Sequence, residues 1–458
     1  MSPIIIILIS IAVCFLAAPL YRLSAGSMKL TKINMISFVF YMDLIVLSFA
    51  GSIIVLLYRN TLFNNLIDNI IGGYESKLLV WKLIIYAIFG IGLGMLISNL
   101  LFNFKRTEIE NYYQKPLKSL FSPDDSYIKI PLYILSVISI LSIIYTYMVI
   151  GTVPFIKSFF LKSQDDVLAL RAAVDRDFPG IVYIKNFFGY LLAPILCYIF
   201  YCYHLLEKSA KNKFWFYLMF FFTFMILTYD ASKSPFVRFL LGFVFLRVIL
   251  KGKIPLKKFF WFVLLVIALL AIIFMLITKQ GLEEVLFSYN SGLTGRLFIS
   301  QVSSLYQHFQ IFPSEHNFIG FHSLSRVLPI GEFSDRSARI VLEITTPGFA
   351  EIGGVFNTLF LGEAYANFGW WGVIISPLWI GFLIQSLHIL FLRLPKTPMF
   401  VGLLVFFSYT SNITGGFNEY IYNMQYFLLL ITIVGVWISA TVLFKMHSKT
   451  TLPDAAAG

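Results

Sequence analysis

Charged residues are scarce in this chain. They make up 13 % of its 458 residues, where soluble globular proteins carry about a quarter. So few could not cover a globule of this length, which excludes an ordinary set of soluble domains. Cysteine is scarcer still: Cys14, Cys197 and Cys202 all lie inside apolar runs. Three scattered thiols form neither a disulfide framework nor a thiolate cluster, and they read as small buried apolar residues. No P-loop and no G-x-G-x-x-G in a strand–helix context occurs, so ATP-driven transport has no support. No internal repeat, low-complexity tract or soluble domain is visible. Neither a metal nor a cofactor is expected.

Apolar residues are abundant instead, at 59 % of the chain with 18 % aromatic and a mean hydropathy of +0.82. They fall into runs of roughly 20 residues, the length that crosses a hydrocarbon core as helix. The fold class expected is an all-α polytopic integral membrane protein, one transmembrane domain over 1–458. About eleven spans are expected, near 3–21, 36–58, 83–101, 130–150, 180–205, 214–229, 235–250, 259–278, 370–391, 398–411 and 424–444. The first run lacks a basic leader and a cleavage site, so it reads as a retained span. Between Ile352 and Phe368 a semi-apolar stretch fits a re-entrant half-helix before the ninth span.

The net charge of +12 resembles a nucleic-acid signal until it is mapped. Alternating connections hold 20 and 13 Lys and Arg, and five of the 13 lie in one long segment that counts little toward orientation. The richer set reads as cytoplasmic, with the N-terminus outside and the C-terminus inside. The charge is thus a topology signal, and no nucleic-acid partner is expected. Two substantial segments remain on the outer face: 151–179, and 279–354 extended by the half-helix to 368.

These outer segments hold the candidate chemistry. In the first, 164–176 is patterned as an amphipathic helix with Asp165, Asp166, Asp175 and Asp177 nearby. Its Arg171 and Arg176 either form a fork for phosphate or pair locally on a solvated face. In the second, Arg296 follows two glycines before an apolar-periodic run, where free helix N–H groups would join it in an anion cradle. Arg326, Arg336 and Arg339 follow among turn-forming residues, the last two on one face if helical. His308, His316 and His322 match no zinc spacing, though His316 could serve as a base. Glu363, in GEAYANFGWWG, falls at the membrane edge, where a carboxylate is either hydrogen-bonded structurally or functional. Asp230 and Lys233 share the turn TYDASKSPF, where Lys233 pairs with Asp230 or adds to an anion surface. Within spans, Lys185 and Arg238 read as snorkelling cations, and Asp43 as a residue with an interior partner.

About eleven spans, two arginine-rich outer loops, the TYDASKSP turn and the stretch NTLFLGEAYANFGWWGVIISPLWIGFLIQ together resemble the O-antigen polymerase, or oligosaccharide repeat-unit polymerase, family. A family-typical Arg in the turn is here Lys233. His316–Asn317 echoes a His-Asn pair of the related O-antigen ligases. The resemblance implies a glycosyltransferase of the bacterial inner membrane that uses no nucleotide sugar. Donor and acceptor would be polyprenyl-diphosphate-linked oligosaccharides, and a chain-length-regulating membrane protein fits as partner. Arg171, Arg176 and Arg296 would then take the diphosphate, with Arg336, Arg339 and Lys233 in support. Glu363 is the first choice of base and His316 the second. A ligase-like transferase shares these features; a lipid-linked sugar flippase fits less well, lacking paired repeats.

Overall fold

The computed structural model describes residues 2–57, 73–121, 125–161, 164–175, 177–232, 234–278, 281–287, 292, 294–324, 332–348, 356 and 358–450. Among the described residues all regular structure is helical. The principal helices are α1 (Pro3–Ala25), α2 (Met35–Leu57), α3 (Tyr74–Leu101), α4 (Thr107–Gln114), α5 (Ser126–Ile150), α6 (Gln164–Asp175), α7 (Ile184–Glu207) and α8 (Ala210–Leu227). They continue with α9 (Ser234–Lys251), α10 (Leu256–Thr278), α11 (295–311), α12 (Ser337–Thr345), α13 (Leu361–Arg393), α14 (Pro398–Thr410) and α15 (Met424–Thr450).

Seven helical stretches among the described residues are long and apolar enough to cross a membrane, beginning at Pro3, Met35, Tyr74, Ser126, Ile184, Leu361 and Asn418. The four remaining apolar runs of the sequence are also helical, as α8, α9, α10 and α14. Large apolar side chains stand exposed along several helices, among them Phe15, Leu100, Met148 and Trp371. A soluble monomer does not tolerate apolar surface on this scale, whereas a bilayer solvates it.

Local sequence explains the helix limits. Pro3 starts α1, and Gly26, at φ 67°, ends it by donating its N–H to the Arg22 carbonyl. Asn34 and Ser37 cap α2 reciprocally, each side chain accepting the other's backbone N–H. Within α2, residues Val39–Ala50 are wound as π-helix. The Ser209 side chain caps α8 by accepting from Asn212 N–H.

The core is organised on the crossing of α3 and α13. A Cβ at Gly94 would lie 2.1 Å from the Leu378 carbonyl oxygen, and one at Gly381 would lie 2.1 Å from that of Ile91. Gly90 faces Pro377 in the same way. Small residues let the two backbones touch, which is how membrane helices gain packing where apolar burial offers little. Polar side chains close the seam: Gln385 Nε2 donates to Asn99 Oδ1 at 2.7 Å, Asn99 Nδ2 to Ser24 Oγ at 2.8 Å, and Ser98 and Ser386 share a hydrogen.

One end of the bundle gathers basic connections. Arg393 pairs with Glu108, Lys118 N–H donates to the Lys396 carbonyl, and Ile254 N–H to that of Thr31. The other end, the loop end, gathers α6, the turn after α8, α11, α12, the start of α13 and the 411–423 connection. There Phe360 N–H donates to the Ile413 carbonyl and Ile319 N–H to that of Ala366.

The half-helix expected before the ninth span takes a particular form. Leu361 to Phe368 is one short helix, and Gly369, at φ 60° and ψ −145°, breaks it from the long remainder of α13. Only glycine is at ease in that conformation. Gly372 completes the corner, since a Cβ there would lie 2.0 Å from the Ala364 carbonyl oxygen.

Candidate functional site at the loop end

Arg336 occupies the position just before α12 and reaches across to the half-helix. Its Nε donates to Glu363 Oε1 at 2.8 Å, and its Nη2 to Glu363 Oε2 and to the Gly415 carbonyl, each at 3.1 Å. Its Nη1 stands 3.6 Å from Glu419 Oε1. Asn418 N–H donates to Glu363 Oε2 at 2.7 Å. Gly416, at φ 117°, allows this turn: a Cβ there would lie 2.3 Å from Arg336 Nη2. Asn418 is fixed in turn, its Nδ2 donating to Ser323 Oγ and its Oδ1 accepting from Asn367 Nδ2. Two segments, the half-helix and the 415–419 turn, thus meet the guanidinium directly. Burial would lower the Arg336 pKa, but Glu363 and then Glu419 outweigh it and hold the group above its ordinary value.

Behind α12 lies His308, fully buried on α11. Its Nδ1 donates to the Ser304 carbonyl at 2.6 Å, which leaves Nε2 to accept from the Ser337 hydroxyl at 3.0 Å. Burial pushes its pKa down to about 4, so it stays neutral near pH 7 and anchors the start of α12.

A polar cavity of about 640 Å³ opens beside Arg336. Arg238, Arg336 and Glu419 line it with Asn412, Asn418 and Asn423, and the tyrosines 183, 190, 409, 422 and 426 form much of its wall. A second, apolar groove of about 390 Å³ runs between α13, α14 and α15, walled by residues such as Leu387, Phe391, Leu403 and Leu430. The two share Thr410, Asn412, Glu419 and Tyr426 as lining. An anionic, hydrogen-bonding head and a long apolar tail would therefore find matching spaces side by side, with Glu419 lining both.

The structure sorts the expected residues. Glu363 is 2 % exposed with both oxygens engaged, so it holds Arg336 instead of standing free as a base. Glu419, to which sequence reasoning attached no role, is the carboxylate that lines the cavity. Arg339 turns away from Arg336 and pairs with Glu343 one turn along α12, Nε to Oε1 at 2.6 Å. The two do not share a face in use, because Arg336 precedes the helix. His316 lies outside the cavity lining, its Nδ1 bonded to the Asn317 carbonyl. Arg176, Lys233 and Arg326 lie outside the described residues.

Arg171 and Arg296 belong to a neighbouring cluster. Arg171 donates to Ser232 Oγ at 2.7 Å, with Asp230 Oδ2 at 3.9 Å. Burial, and then the like charge of Arg171, push the Arg296 pKa down to about 10. Lys185 differs from the snorkelling expectation. Its ammonium is 1 % exposed, donates to Asp175 at 2.9 Å and Tyr229 at 3.0 Å, and sits over the Phe178 ring. Tyr229 also donates to Asp175. Burial pushes the Asp175 carboxyl up, but Tyr229 and Lys185 outweigh it, leaving the group below its ordinary value. Arg238 lines the cavity instead of reaching for the interface, and Asp43 has the Ile413 backbone and the Arg238 charge as neighbours.

Among the described residues no group of three or more His, Cys, Asp or Glu is arranged to hold a metal ion. An all-helical membrane-type bundle with a charged loop-end cavity beside an apolar groove defines the general class of the chain. No family model, curated protein or solved structure matches it.

Proposed function

We propose that this chain is a membrane glycosyltransferase that polymerises polyprenyl-diphosphate-linked oligosaccharide repeat units. On this reading all eleven apolar helices span the bacterial inner membrane, the N-terminus and loop end face outward, and the C-terminus faces the cytoplasm. The observation that carries it is the adjacency of a cavity lined by two arginines to an apolar groove, with Glu419 lining both. Such an arrangement suits a substrate that is diphosphate and sugar at one end and isoprenoid at the other. Tyrosine walls suit sugar rings, which present apolar faces to aromatic ones.

The chemistry follows from the groups present. A hydroxyl of the acceptor sugar attacks the anomeric carbon of the donor, and the bond from that carbon to the diphosphate oxygen breaks. Glu419 takes the hydroxyl proton. The lipid diphosphate leaves as an anion, so charge stabilisation matters more than protonation. Arg336 and Arg238 supply it in a site with little water. Glu363 and Asn418 aim Arg336, and Arg171 and Arg296 extend the cationic surface toward the TYDAS turn.

The test is chain extension by purified protein supplied with lipid-linked repeat units. Glu419→Gln is expected to lower the rate by about 10²–10⁴-fold, the range for a lost general base. Arg336→Lys should shorten the polymer while the protein remains in the membrane. Wild-type polymer from both variants would remove this assignment. In cells, loss of the protein should leave single repeat units capped on lipid. Untransferred polymer would instead identify a ligase, and loss of outer-face intermediates a flippase.

A further inference from the structure

At the basic end a separate cavity of about 550 Å³ lies between three segments. They are the end of α1 with its following loop, helix α4, and the end of α9 with the turn after it. The walls are fastened to one another. Lys396, 5 % exposed, donates from Nζ to the carbonyls of Tyr112 and Tyr113 at 3.2 and 3.1 Å, and of Lys115 and Ile249 at 2.8 Å each. One ammonium thus ties the α4 wall to the α9 wall. Ile254 N–H donates to the Thr31 carbonyl at 2.9 Å, tying the α9 turn to the loop after α1. Asn34 Nδ2 holds the Ala25 carbonyl at 2.8 Å. Gly26 lies against Ile109, so α1 and α4 close on each other.

Into this fixed space come three cations, Lys32, Lys251 and Lys253, against one carboxylate, Glu110. No ion pair or side-chain hydrogen bond engages these three lysines among the described residues. Three other cations at this end are committed: Arg393 to Glu108, Lys129 to Glu207, and Lys396 to backbone carbonyls. The C-terminal dipole of α9 attracts its lysines by only about 0.3–1 kcal/mol each, which leaves their charge available to a ligand. Ile109 and Leu250 add apolar lining. Leu23, Leu30 and Leu256, on the same segments, are exposed, so acyl chains would pass beside the opening.

We propose that this cavity binds the phosphate of an anionic phospholipid headgroup, with Lys32, Lys251 and Lys253 around the phosphate and Ile109 and Leu250 against the glycerol. A preformed cationic recess with apolar lining at a membrane edge selects a phosphate attached to a lipid over one free in water. The net positive charge of the recess selects an anionic over a zwitterionic headgroup. This site is independent of the glycan reading.

The experiment is native mass spectrometry of the full chain in detergent, titrated with phosphatidylglycerol or phosphatidylcholine. The combined Lys32→Gln, Lys251→Gln, Lys253→Gln variant is compared with a control carrying Lys208→Gln, Lys257→Gln and Lys258→Gln. Phosphatidylglycerol should be retained in preference to phosphatidylcholine. Its affinity should fall roughly fivefold for each cavity lysine removed, and stay unchanged in the control. Equal loss in both variants would show general charge attraction and overturn the site. Displacement of the lipid by millimolar inorganic phosphate would overturn the lipid assignment.

Discussion

The crossing of α3 and α13 is buried and the cluster around Arg336 is half-exposed, and they are held in opposite ways. At the crossing, glycine brings backbones together until no side chain fits between them, at Gly94 against Leu378 and Gly381 against Ile91. At the loop end, long polar side chains keep the segments apart and leave a cavity. The first arrangement gives rigidity through close packing. The second gives a preorganised charge through mutually satisfied polar groups. The proposed transferase would need both, because a guanidinium can be aimed only from a frame that does not yield.

Enlarging the crossing tests the first half of this contrast and should have the largest effect. Gly94→Leu places a side chain where a carbonyl already stands, at a cost on the order of 3 kcal/mol or more. Folded protein should largely vanish from membrane extracts analysed by fluorescence-detected gel filtration, and wild-type yield would refute the contact. Removing the aim of Arg336 comes next. Glu363→Gln should leave the protein folded yet lower chain extension about a hundredfold, comparable to losing one transition-state donor. Full activity would mean that the Gly415 carbonyl and Glu419 suffice to hold the guanidinium.

A smaller effect is expected at the Lys185 latch. Asp175→Asn leaves a buried ammonium that still donates to Tyr229. Asp175 is itself 58 % exposed, so the loss should be about 1–2 kcal/mol, well short of a fully buried broken pair. Thermal unfolding in detergent reads it directly. The effect smallest at neutral pH concerns His308. Its folded-state pKa lies near 4, below the ordinary 6.5, so between those values the unfolded chain binds a proton that the native one does not. Stability should therefore fall as pH drops from 6.5 toward 4. His308→Gln should flatten that part of the profile, and an unchanged slope would place the titrating group elsewhere.

The helical membrane architecture was legible because a period of about 20 apolar residues is a local property. The Pro3 start, the Asn34–Ser37 cap and the stop at Gly26 were equally written into neighbouring residues. Half of the site was legible too: Arg336, Glu363 and the half-helix that opens α13 all stand out as polar or glycine-rich interruptions. Their partnership was not. Arg336 and Arg339, three apart, promised a shared face, but Arg336 precedes the helix and Arg339 prefers Glu343. Glu363 carried the marks of a base, and the fold engages both its oxygens with Arg336 and the Asn418 N–H. Glu419 offered a signal in GGFNEY, two glycines ahead of an Asn-Glu pair between the last two spans.

By itself the amino-acid sequence determined where helices form, which lengths can cross a membrane, and at which connections basic residues collect. Each depends on neighbours within a few turns. Only the tertiary structure decided which carboxylate meets which arginine and where polar and apolar spaces lie side by side. The Arg336–Glu363 contact spans 27 residues and that between Arg336 and Gly415 spans 79, distances over which side-chain periodicity carries no information. In a chain with so few charges, packing chooses which of them stay free for chemistry.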